Sequence, residues 1–348
     1  MPMPLFPPRI FPAEWERHDA TWLAWPHNEE DWPGKFGPIE WAFAEIARCV
    51  TAGERLDLLC KNDPAEARAR QCLEKSAVDL ARVRFHQWPT DRGWMRDCAP
   101  TIVRRPDNAT LELIDWKFNA WAKYDNWRLD DHVPILVERL TGIPRIDALR
   151  PDNGERMVCE GGGIETDGAG ALLVTEECFL HPDTQVRNPG MTRAAYERAF
   201  AEFLGISRTV WLGAGCAGDD THGHIDDIAR FTPSGAVLLA FEDNPSDANH
   251  ASSIDNERRL RAAGLTTARL PYPAPVVFDG QRLPASYANF YVCNAAVLVP
   301  TFNDPRDADA LRIIAAAFPD RPAIPIYSRD LVWGLGTLHC LTQQQPSP

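Results

Sequence analysis

The sequence predicts an α/β protein that folds as one domain. Its 348 residues are 45% hydrophobic and 24% charged, a composition typical of a globular chain with a sizeable core. Pairs of short apolar runs joined by turn residues alternate along the chain with helical patterns. The length fits one large α/β domain or two small ones. Since no low-complexity linker divides the sequence, we expect residues 1–348 to form a single domain.

Four segments predict β-hairpins, because apolar alternation flanks a turn sequence in each of them. The segments are "TIVRRPDNATLELIDW", turning at Pro106, Asp107 and Asn108; "MVCEGGGIETDGAGALLVTEE", turning at Asp167 and Gly168; "DDIARFTPSGAVLLAFED", turning at Pro233, Ser234 and Gly235; and "NFYVCNAAVLVPTF", turning near Cys293 and Asn294. These hairpins supply the strands of the predicted α/β fold.

Amphipathic helices are predicted between the hairpins. One pattern follows Thr192, a good N-cap, and ends at Gly205. A second begins at Asp304, with Pro305 as its first helical residue. The predicted helical segments are 38–52, 64–82, 192–204, 246–263 and 304–318. About five strand-rich units, each with a helix, indicate a repeated α/β module arranged around a centre.

Composition and charge disfavour several kinds of partner. The formal net charge of −13 repels nucleic acid and anionic membrane surfaces, and it suits a small cationic substrate. The sequence contains no run of about 18 apolar residues, and its start lacks the basic and apolar regions of a signal peptide. The nine cysteines include no C-x-x-C pair, which favours free thiols in a reducing cytoplasm.

Four polar clusters stand at the ends of the predicted strands. They are "DRGWMRDCAP", with Trp94 and Asp97; "CEGGGIETDG", with Glu160; "GDDTHGHIDD", with Asp220, His222, His224, Asp226 and Asp227; and the C-terminal "GLGTLHCLTQQQP", with Cys340. Carboxylates dominate the first three clusters, whereas the fourth offers a thiol behind a glycine-rich loop.

Together these side chains suit a guanidinium substrate. This planar cation donates N–H groups in a fork that matches carboxylates. The carboxylates are supplied by Asp97, Glu160 and Asp226. Its central carbon is a weak electrophile, so a thiolate at Cys340 is a better attacker than water. His224 can then protonate the leaving nitrogen and afterwards activate water.

Alternation along a strand predicts which neighbours share a face. His224 and Asp226 are two residues apart, so on a strand both would address one substrate. His339 adjoins Cys340 and would point to the opposite face, which argues against its being the base. The same alternation predicts core packing for two cysteines that adjoin site residues, Cys98 and Cys159.

Five motifs in this order resemble the agmatine deiminase family: "GWMRD", "EGGG", "GDDTHGHID", "ASYANFY" and "GTLHCLTQQQP". The resemblance runs from the "PAEWERHDATWLAWP" segment near residue 12 to Pro346. It implies the five-fold pseudosymmetric β/α-propeller of the pentein superfamily, with no metal or cofactor and with a homodimer as the assembly. It also implies hydrolysis of agmatine to N-carbamoylputrescine and ammonia, although the family includes a bacterial peptidylarginine deiminase branch.

The resemblance assigns roles to individual residues. Cys340 corresponds to the family nucleophile and His224 to its acid/base, while Glu160 corresponds to the carboxylate that works with that histidine. Asp97 and Asp226 correspond to the pair that grips the guanidinium group. Two more positions match substrate-binding residues, Trp94 in the channel and Asp220 near the agmatine.

Three places depart from the family pattern. The plant-type enzymes have R-D-T-G-P where this chain has "RDCAP", and a glycine-rich segment where it has "FNAWAKYDNWRLDD". His222 stands where Asn or Asp is usual. These departures leave the guanidinium chemistry intact and concern recognition of the far end of the substrate.

Two other functions fit parts of this pattern. The segment from Asp220 to Asp227 offers metal ligands, and D-x-H-x-D is typical of the dimanganese site of arginase-like ureohydrolases. Such a site needs a second ligand cluster, which the sequence lacks, and it leaves Cys340 unexplained. An acidic polyamine-binding protein would keep the carboxylates without the chemistry, and ammonia release from agmatine would separate it from an enzyme.

Overall fold

The computed structural model describes residues 8–106 and 110–348, which form an α/β fold with mixed sheets. The strands are β1 (His18–Ala24), β2 (Arg55–Cys60), β3 (Val83–Gln87), β4 (Thr101–Arg104), β5 (Leu111–Asp115), β6 (Arg145–Asp147), β7 (Glu165–Thr166), β8 (Ala171–Thr175), β9 (Arg208–Leu212), β10 (Ala229–Phe231), β11 (Val237–Phe241), β12 (Thr267–Pro271), β13 (Val277–Phe278), β14 (Gln281–Arg282), β15 (Tyr291–Val292), β16 (Val297–Thr301), β17 (Ala323–Tyr327) and β18 (Thr342–Pro346). The helices are α1 (Phe36–Thr51), α2 (Asp63–Lys75), α3 (Met95–Cys98), α4 (Val133–Thr141), α5 (Glu176–Leu180), α6 (Arg193–Leu204), α7 (His250–Ala262), α8 (Asp307–Ala317) and α9 (Leu338–Leu341).

One strand pattern recurs in five sheets of the described residues: an antiparallel pair followed by a parallel neighbour. It is seen in β18-β1-β2-β3, β4-β5-β6, β7-β8-β9, β10-β11-β12 and β15-β16-β17. In the first sheet, the C-terminal strand β18 lies antiparallel to the N-terminal strand β1, with His18 opposite Pro346. The two ends of the chain therefore close one sheet, and α9 is held directly in front of it.

The four predicted hairpins are confirmed as the antiparallel pairs β4–β5, β7–β8, β10–β11 and β15–β16. Gly168 and Gly235 have φ angles of 74° and 80°, which explains why glycine stands in these two turns. Of the first predicted turn, Asp107 and Asn108 lie outside the described residues.

The helix predictions are correct in type and differ at several ends. Thr192 caps α6 by accepting a hydrogen bond from the Ala195 amide, and Gly205 ends it in a left-handed conformation, as predicted. The prediction that a helix begins at Asp304 is wrong by three residues. Asp304 Oδ1 instead accepts the Arg306 amide at 2.8 Å in a turn before α8. Similarly, α2 ends at Lys75, and the rest of the predicted 64–82 segment contains a separate turn.

The core supports the site directly. Three clusters of buried apolar side chains occupy the described part of the chain. The cluster around β1, β2 and α1 contains Trp22, Phe43 and Leu58, and it extends to Trp94 and Cys340. Side chains of the predicted site are thus held by core packing. No helix among the described residues has both the length and the apolar character needed to cross a membrane.

Candidate active site

The predicted site residues meet at a cavity of about 400 Å³. Four of them line it directly: Trp94, Asp97, Asp220 and Cys340. The other three are buried beside these: Glu160, His224 and Asp226. Residues that are far apart in sequence are brought together because they stand on short helices and turns that follow or precede the strands.

Cys340 lies on the short helix α9, behind the glycine-rich loop. A side chain at Gly336 would come within 2.8 Å of the Trp94 ring and 3.2 Å of the Cys340 sulfur, so the loop can pass only as glycine. The Asn289 Nδ2 atom lies 3.1 Å from this sulfur, and Asp226 Oδ2 lies 3.7 Å from it. Burial raises the pKa of the Cys340 thiol well above its usual range, and the neighbouring carboxylates raise it further.

Asp226 is held by a histidine that alternation on a strand had placed on the opposite face. His339 Nδ1 lies 2.7 Å from Asp226 Oδ2, and its Nε2 lies 2.7 Å from Glu14 Oε2. Burial acts to raise the pKa of Asp226, but His339, with smaller contributions from His224 and Arg230, outweighs burial and lowers the pKa. With both ring nitrogens on carboxylates, His339 positions Asp226 and is not available as the base.

The expected strand geometry of His224 and Asp226 is wrong. His224 precedes a turn of 3₁₀-helix, Ile225–Asp227, in which Asp226 lies. The two side chains still converge on the site, because the Asp219 carboxylate accepts the backbone amides of Gly223 and His224 and fixes this loop.

His224 lies between two carboxylates at the inner end of the cavity. Its Nε2 is 3.8 Å from Glu160 Oε2, and its Nδ1 is 3.9 Å from Asp97 Oδ1. A Cβ at Gly162 would lie 2.5 Å from the His224 ring, so this approach depends on glycine. Burial lowers the pKa of His224, but the charges of Asp97, Glu160 and Asp226 dominate and raise it to about 9. His224 is therefore a proton donor at neutral pH.

Glu160 is paired with an arginine that the sequence analysis missed. Arg187 Nε lies 3.2 Å from Glu160 Oε1, and both side chains are fully buried. Burial alone would raise the pKa of Glu160, but Arg187 and His224 outweigh it and lower the pKa. Glu160 is thus kept as a carboxylate beside His224.

Asp97 stands on α3 and is held from two sides. Its Oδ2 accepts the indole N–H of Trp121 at 2.9 Å, and its Oδ1 accepts the Gly162 amide at 2.9 Å. Burial raises the pKa of Asp97 to about 6, against the lowering effect of His224. Trp121 belongs to a loop in which residues 120–122 all have φ between 48° and 58°, an uncommon conformation for non-glycine residues.

Several buried polar atoms at the inner end have no hydrogen-bond partner among the described residues. They are Glu160 Oε2, Asp226 Oδ1 and both ring nitrogens of His224. Buried carboxylate oxygens without partners carry a desolvation cost that a cationic donor would remove. The two carboxylate oxygens, Glu160 Oε2 and Asp226 Oδ1, therefore match the N–H groups of a planar cation.

The outer end of the cavity has mixed charge. Asp220 receives Lys123 Nζ on one oxygen and the Tyr124 hydroxyl on the other, the latter at 2.7 Å. Arg92, which also lines the cavity, forms an ion pair with Asp31 at 2.7 Å. The cations Lys123 and Arg92 therefore offset the charges of Asp220 and Asp31 at this end.

The residues proposed for a dimetal site do not gather as ligands. His222 lies 3.5 Å from Glu177 and stacks edge-on against His181. Within residues 8–106 and 110–348, the group with suitable ligand spacing is Glu160, Cys178 and His224, with ligand atoms within 4.8 Å of one another. Glu160 is already paired with Arg187, and burial raises the pKa of Cys178 strongly. These three residues therefore form a poor cation site.

Some functional neighbours could have been found from sequence and others could not. Asn289 lies in "ASYANFY" and Trp121 in "FNAWAKYDNW", two segments that the motif comparison had marked. Glu14 lies in the "PAEWERHDATWLAWP" segment, at which the resemblance begins. Arg187 lies outside every quoted motif, and no local pattern distinguishes it. Both cysteines predicted to pack in the core, Cys98 and Cys159, are buried.

Comparison with known proteins identifies the family of the chain. The model of the Porphyromonas-type peptidyl-arginine deiminase family matches residues 10–346. The agmatine deiminase of Stutzerimonas stutzeri (strain A1501) is 34% identical, with 97% of this chain and 95% of that protein covered. The agmatine deiminase of Pseudomonas aeruginosa (strain LESB58) is 32% identical with the same coverage.

A solved structure extends the similarity to the fold. The agmatine deiminase of Enterococcus faecalis superposes with a TM-score of 0.87 at 26% identity, covering 97% of this chain and 96% of its own. The resemblance drawn from the five motifs is thereby confirmed. The chain belongs to the Porphyromonas-type peptidyl-arginine deiminase family.

Proposed function

We propose that this protein hydrolyses the guanidinium group of agmatine to N-carbamoylputrescine and ammonia, with Cys340 as the nucleophile. The observation that carries the proposal is the pair of unpartnered buried acceptors, Glu160 Oε2 beside His224 and Asp226 Oδ1 on the residue that contacts the Cys340 sulfur. The names of two relatives, the agmatine deiminases of Stutzerimonas stutzeri and Pseudomonas aeruginosa, support agmatine as the guanidine.

Binding of the cation prepares the nucleophile. Asp97, Glu160 and Asp226 receive the N–H groups of the guanidinium, whose positive charge offsets the carboxylates that raise the Cys340 pKa. The thiol then loses its proton to solvent, so a larger fraction of Cys340 is thiolate with the substrate bound than in the free enzyme. Asn289 Nδ2 at 3.1 Å is placed to donate to this thiolate.

The first half of the reaction expels ammonia. The Cys340 sulfur attacks the guanidinium carbon, and a C–S bond forms as the carbon becomes tetrahedral. His224, protonated at neutral pH, gives its proton to one terminal nitrogen, and the C–N bond to that nitrogen breaks. Ammonia leaves, and the substrate remains attached to Cys340 as an amidino thioether.

The second half uses water. Neutral His224 takes a proton from a water molecule, whose oxygen attacks the same carbon. The C–S bond breaks, the thiol is restored and the ureido product is released. Glu160, kept ionised by Arg187, stabilises His224 in the protonated state at the start and end of each cycle.

The wider architecture is also part of this proposal. The five sheets with one shared strand pattern support a single domain built as a five-fold β/α-propeller around the cavity. Nine buried free cysteines support function in the reducing cytoplasm. A homodimer remains the expected assembly, and sedimentation equilibrium would test it.

The test of the function is ammonia release from agmatine by the wild type and by Cys340→Ala. We expect the wild type to turn over and the variant to lose activity by more than about a thousandfold, because the covalent step is removed. Cys72→Ala is the control, since Cys72 is buried and is not among the residues that line the cavity. A Cys340→Ala protein that keeps more than a few per cent of wild-type activity would exclude the nucleophile.

The alternative substrate is arginine at the end of a peptide, which the family description favours. Agmatine, free arginine and a peptide with C-terminal arginine should be compared by kcat/KM. We expect agmatine to lead by about tenfold, because the acids Glu30 and Asp220 at this end of the cavity repel the α-carboxylate that arginine carries and agmatine lacks. A ratio at or below one would keep the chemistry and change the substrate.

A further inference from the structure

Asp220, at the far end of the cavity, is already engaged by an internal cation. Lys123 Nζ contacts its Oδ1, and the Tyr124 hydroxyl donates to its Oδ2 at 2.7 Å. The Asp220 side chain is 14% exposed and that of Lys123 is 39% exposed. An ammonium group that enters the cavity therefore meets a carboxylate whose two oxygens both have partners.

The backbone around this pair is fixed, so the lysine side chain is the element that can yield. Gln185 Nε2 lies 3.0 Å from the carbonyl oxygens of both Trp121 and Asp220 and ties the two loops together. Trp121 in turn donates to Asp97 at the inner end. The loop that carries Lys123 is therefore anchored at both ends of the cavity.

Tyr124 is held as well. The Arg92 guanidinium lies 3.9 Å from the centre of its ring, and Arg92 is itself paired with Asp31 at 2.7 Å. The Tyr124 hydroxyl is thus a fixed donor to Asp220. The flexible, half-exposed Lys123 ammonium is the exchangeable partner, because it is compact and can be replaced by another ammonium of equal charge.

We propose that Lys123 is a specificity-determining residue that competes with the far ammonium of a dicationic guanidine for Asp220. This inference rests on the proposed function. A substrate such as agmatine must displace Lys123 to reach Asp220, so its second charge adds little to its binding. A guanidine without a far charge does not have to displace Lys123. The enzyme therefore prefers agmatine over such a guanidine by a smaller factor than it would if Asp220 were unpaired.

Glu30 is the other acid to consider at this end. It lines the cavity but is exposed, so water and salt screen its charge. Asp31 is paired with Arg92 through Oδ1, and burial raises its pKa to about 7, so that it is only partly ionised at neutral pH. Among these three acids, Asp220 is therefore the one that should bind the ammonium group of the substrate more tightly once its partner cation, Lys123, is removed.

The experiment compares agmatine with n-butylguanidine, which has the same guanidinium group but lacks the far ammonium. The measured quantity is the ratio of the two kcat/KM values in the wild type and in Lys123→Met. We expect the ratio to rise about three- to fivefold in Lys123→Met, through a lower KM for agmatine with unchanged kcat. Lys123→Arg keeps the charge and should keep the wild-type ratio.

Two controls make the result specific. Lys75→Met removes a lysine at the end of α2, away from the cavity, and should leave the ratio unchanged. Adding Asp220→Asn to Lys123→Met should cancel the gain, because the carboxylate in question is then absent. Lys123→Gln gives a second neutral variant should Lys123→Met prove unstable in thermal unfolding.

The outcomes separate this inference from the function on which it rests. A wild type that releases no ammonia from either guanidine overturns the proposed function, and the inference falls with it. A wild type that turns over agmatine, with a ratio that stays constant or falls in both neutral variants, overturns the role of Lys123 alone.

Discussion

The imidazole of His339 holds the carboxylate of Asp226 through a contact of 2.7 Å between Nδ1 and Oδ2. On its other side the same ring reaches Glu14 at 2.7 Å, so a buried carboxylate lies on each edge. Cys340 follows His339 in the chain, and its sulfur is 3.7 Å from Asp226. His339, which precedes Cys340 in the chain, thus fixes the position of the Asp226 carboxylate beside the thiol.

Replacing this positioning residue should alter substrate binding and its pH dependence together. In His339→Gln, Asp226 loses the partner that lowers its pKa, so that pKa should rise. We expect kcat/KM for agmatine to fall more than about tenfold, and its acidic limb to move to higher pH. His250→Gln, on α7, serves as the control. An acidic limb that stays in place would limit His339 to structural support.

The pH profile of kcat/KM should be bell-shaped. Asp97, with a pKa of about 6, must be ionised to bind the cation, so activity should fall as pH decreases through 6. His224, with a pKa of about 9, must be protonated to expel ammonia, so activity should fall as pH increases through 9. Both limbs belong to the free enzyme and are measured at low substrate concentration.

A tryptophan variant tests which group sets the acidic limb. The Trp121 hydrogen bond lowers the pKa of Asp97, so Trp121→Phe should move this limb to higher pH. Trp116→Phe removes an indole bonded to Thr101 and should leave the limb unmoved. Should both variants keep the wild-type limb, Asp97 would not be the titrating group.

Gly162 should not tolerate a side chain. A Cβ there would lie 2.5 Å from His224 Nδ1 and 2.8 Å from Asp97 Oδ1, closer than real contacts allow. We expect Gly162→Ala to lower kcat by about a hundredfold or more, because the displaced histidine no longer reaches the leaving nitrogen. The matched control is Gly37→Ala in α1, where the added methyl group meets nothing within 4 Å. Ammonia assays and circular dichroism of both variants would distinguish site damage from misfolding.

Alkylation of thiols should abolish the activity, whereas chelation of metal ions should leave it unchanged. Iodoacetamide should inactivate the enzyme with mass added at Cys340, and agmatine should protect by covering the thiol. Strong chelators should leave activity unchanged, since the proposed steps use only side chains of this chain. Inactivation by a chelator, reversed by manganese, would support the ureohydrolase alternative.

Local sequence was sufficient for much of the fold. The four hairpins and the limits of α6 depend on turn residues, caps and alternation within about twenty neighbouring positions, so they could be predicted. The predicted start of the helix at Asp304 is too early, because a capping residue followed by a proline is also typical of a simple turn. In the structure these residues form that turn, and α8 begins after it. The motifs, read in order, identified the residues around the cavity.

Only the tertiary structure decided how these residues are paired. Glu14 and His339 are 325 positions apart, and Arg187 meets Glu160 across 27 positions, so no local pattern predicts either contact. The strand assumption for His224 and Asp226 failed because the chain turns there. The charge balance at Asp220 likewise depends on a loop 97 positions away that brings Lys123 to it. A sequence specifies which charges exist, but their pKa values and partners depend on the distances that folding sets between them.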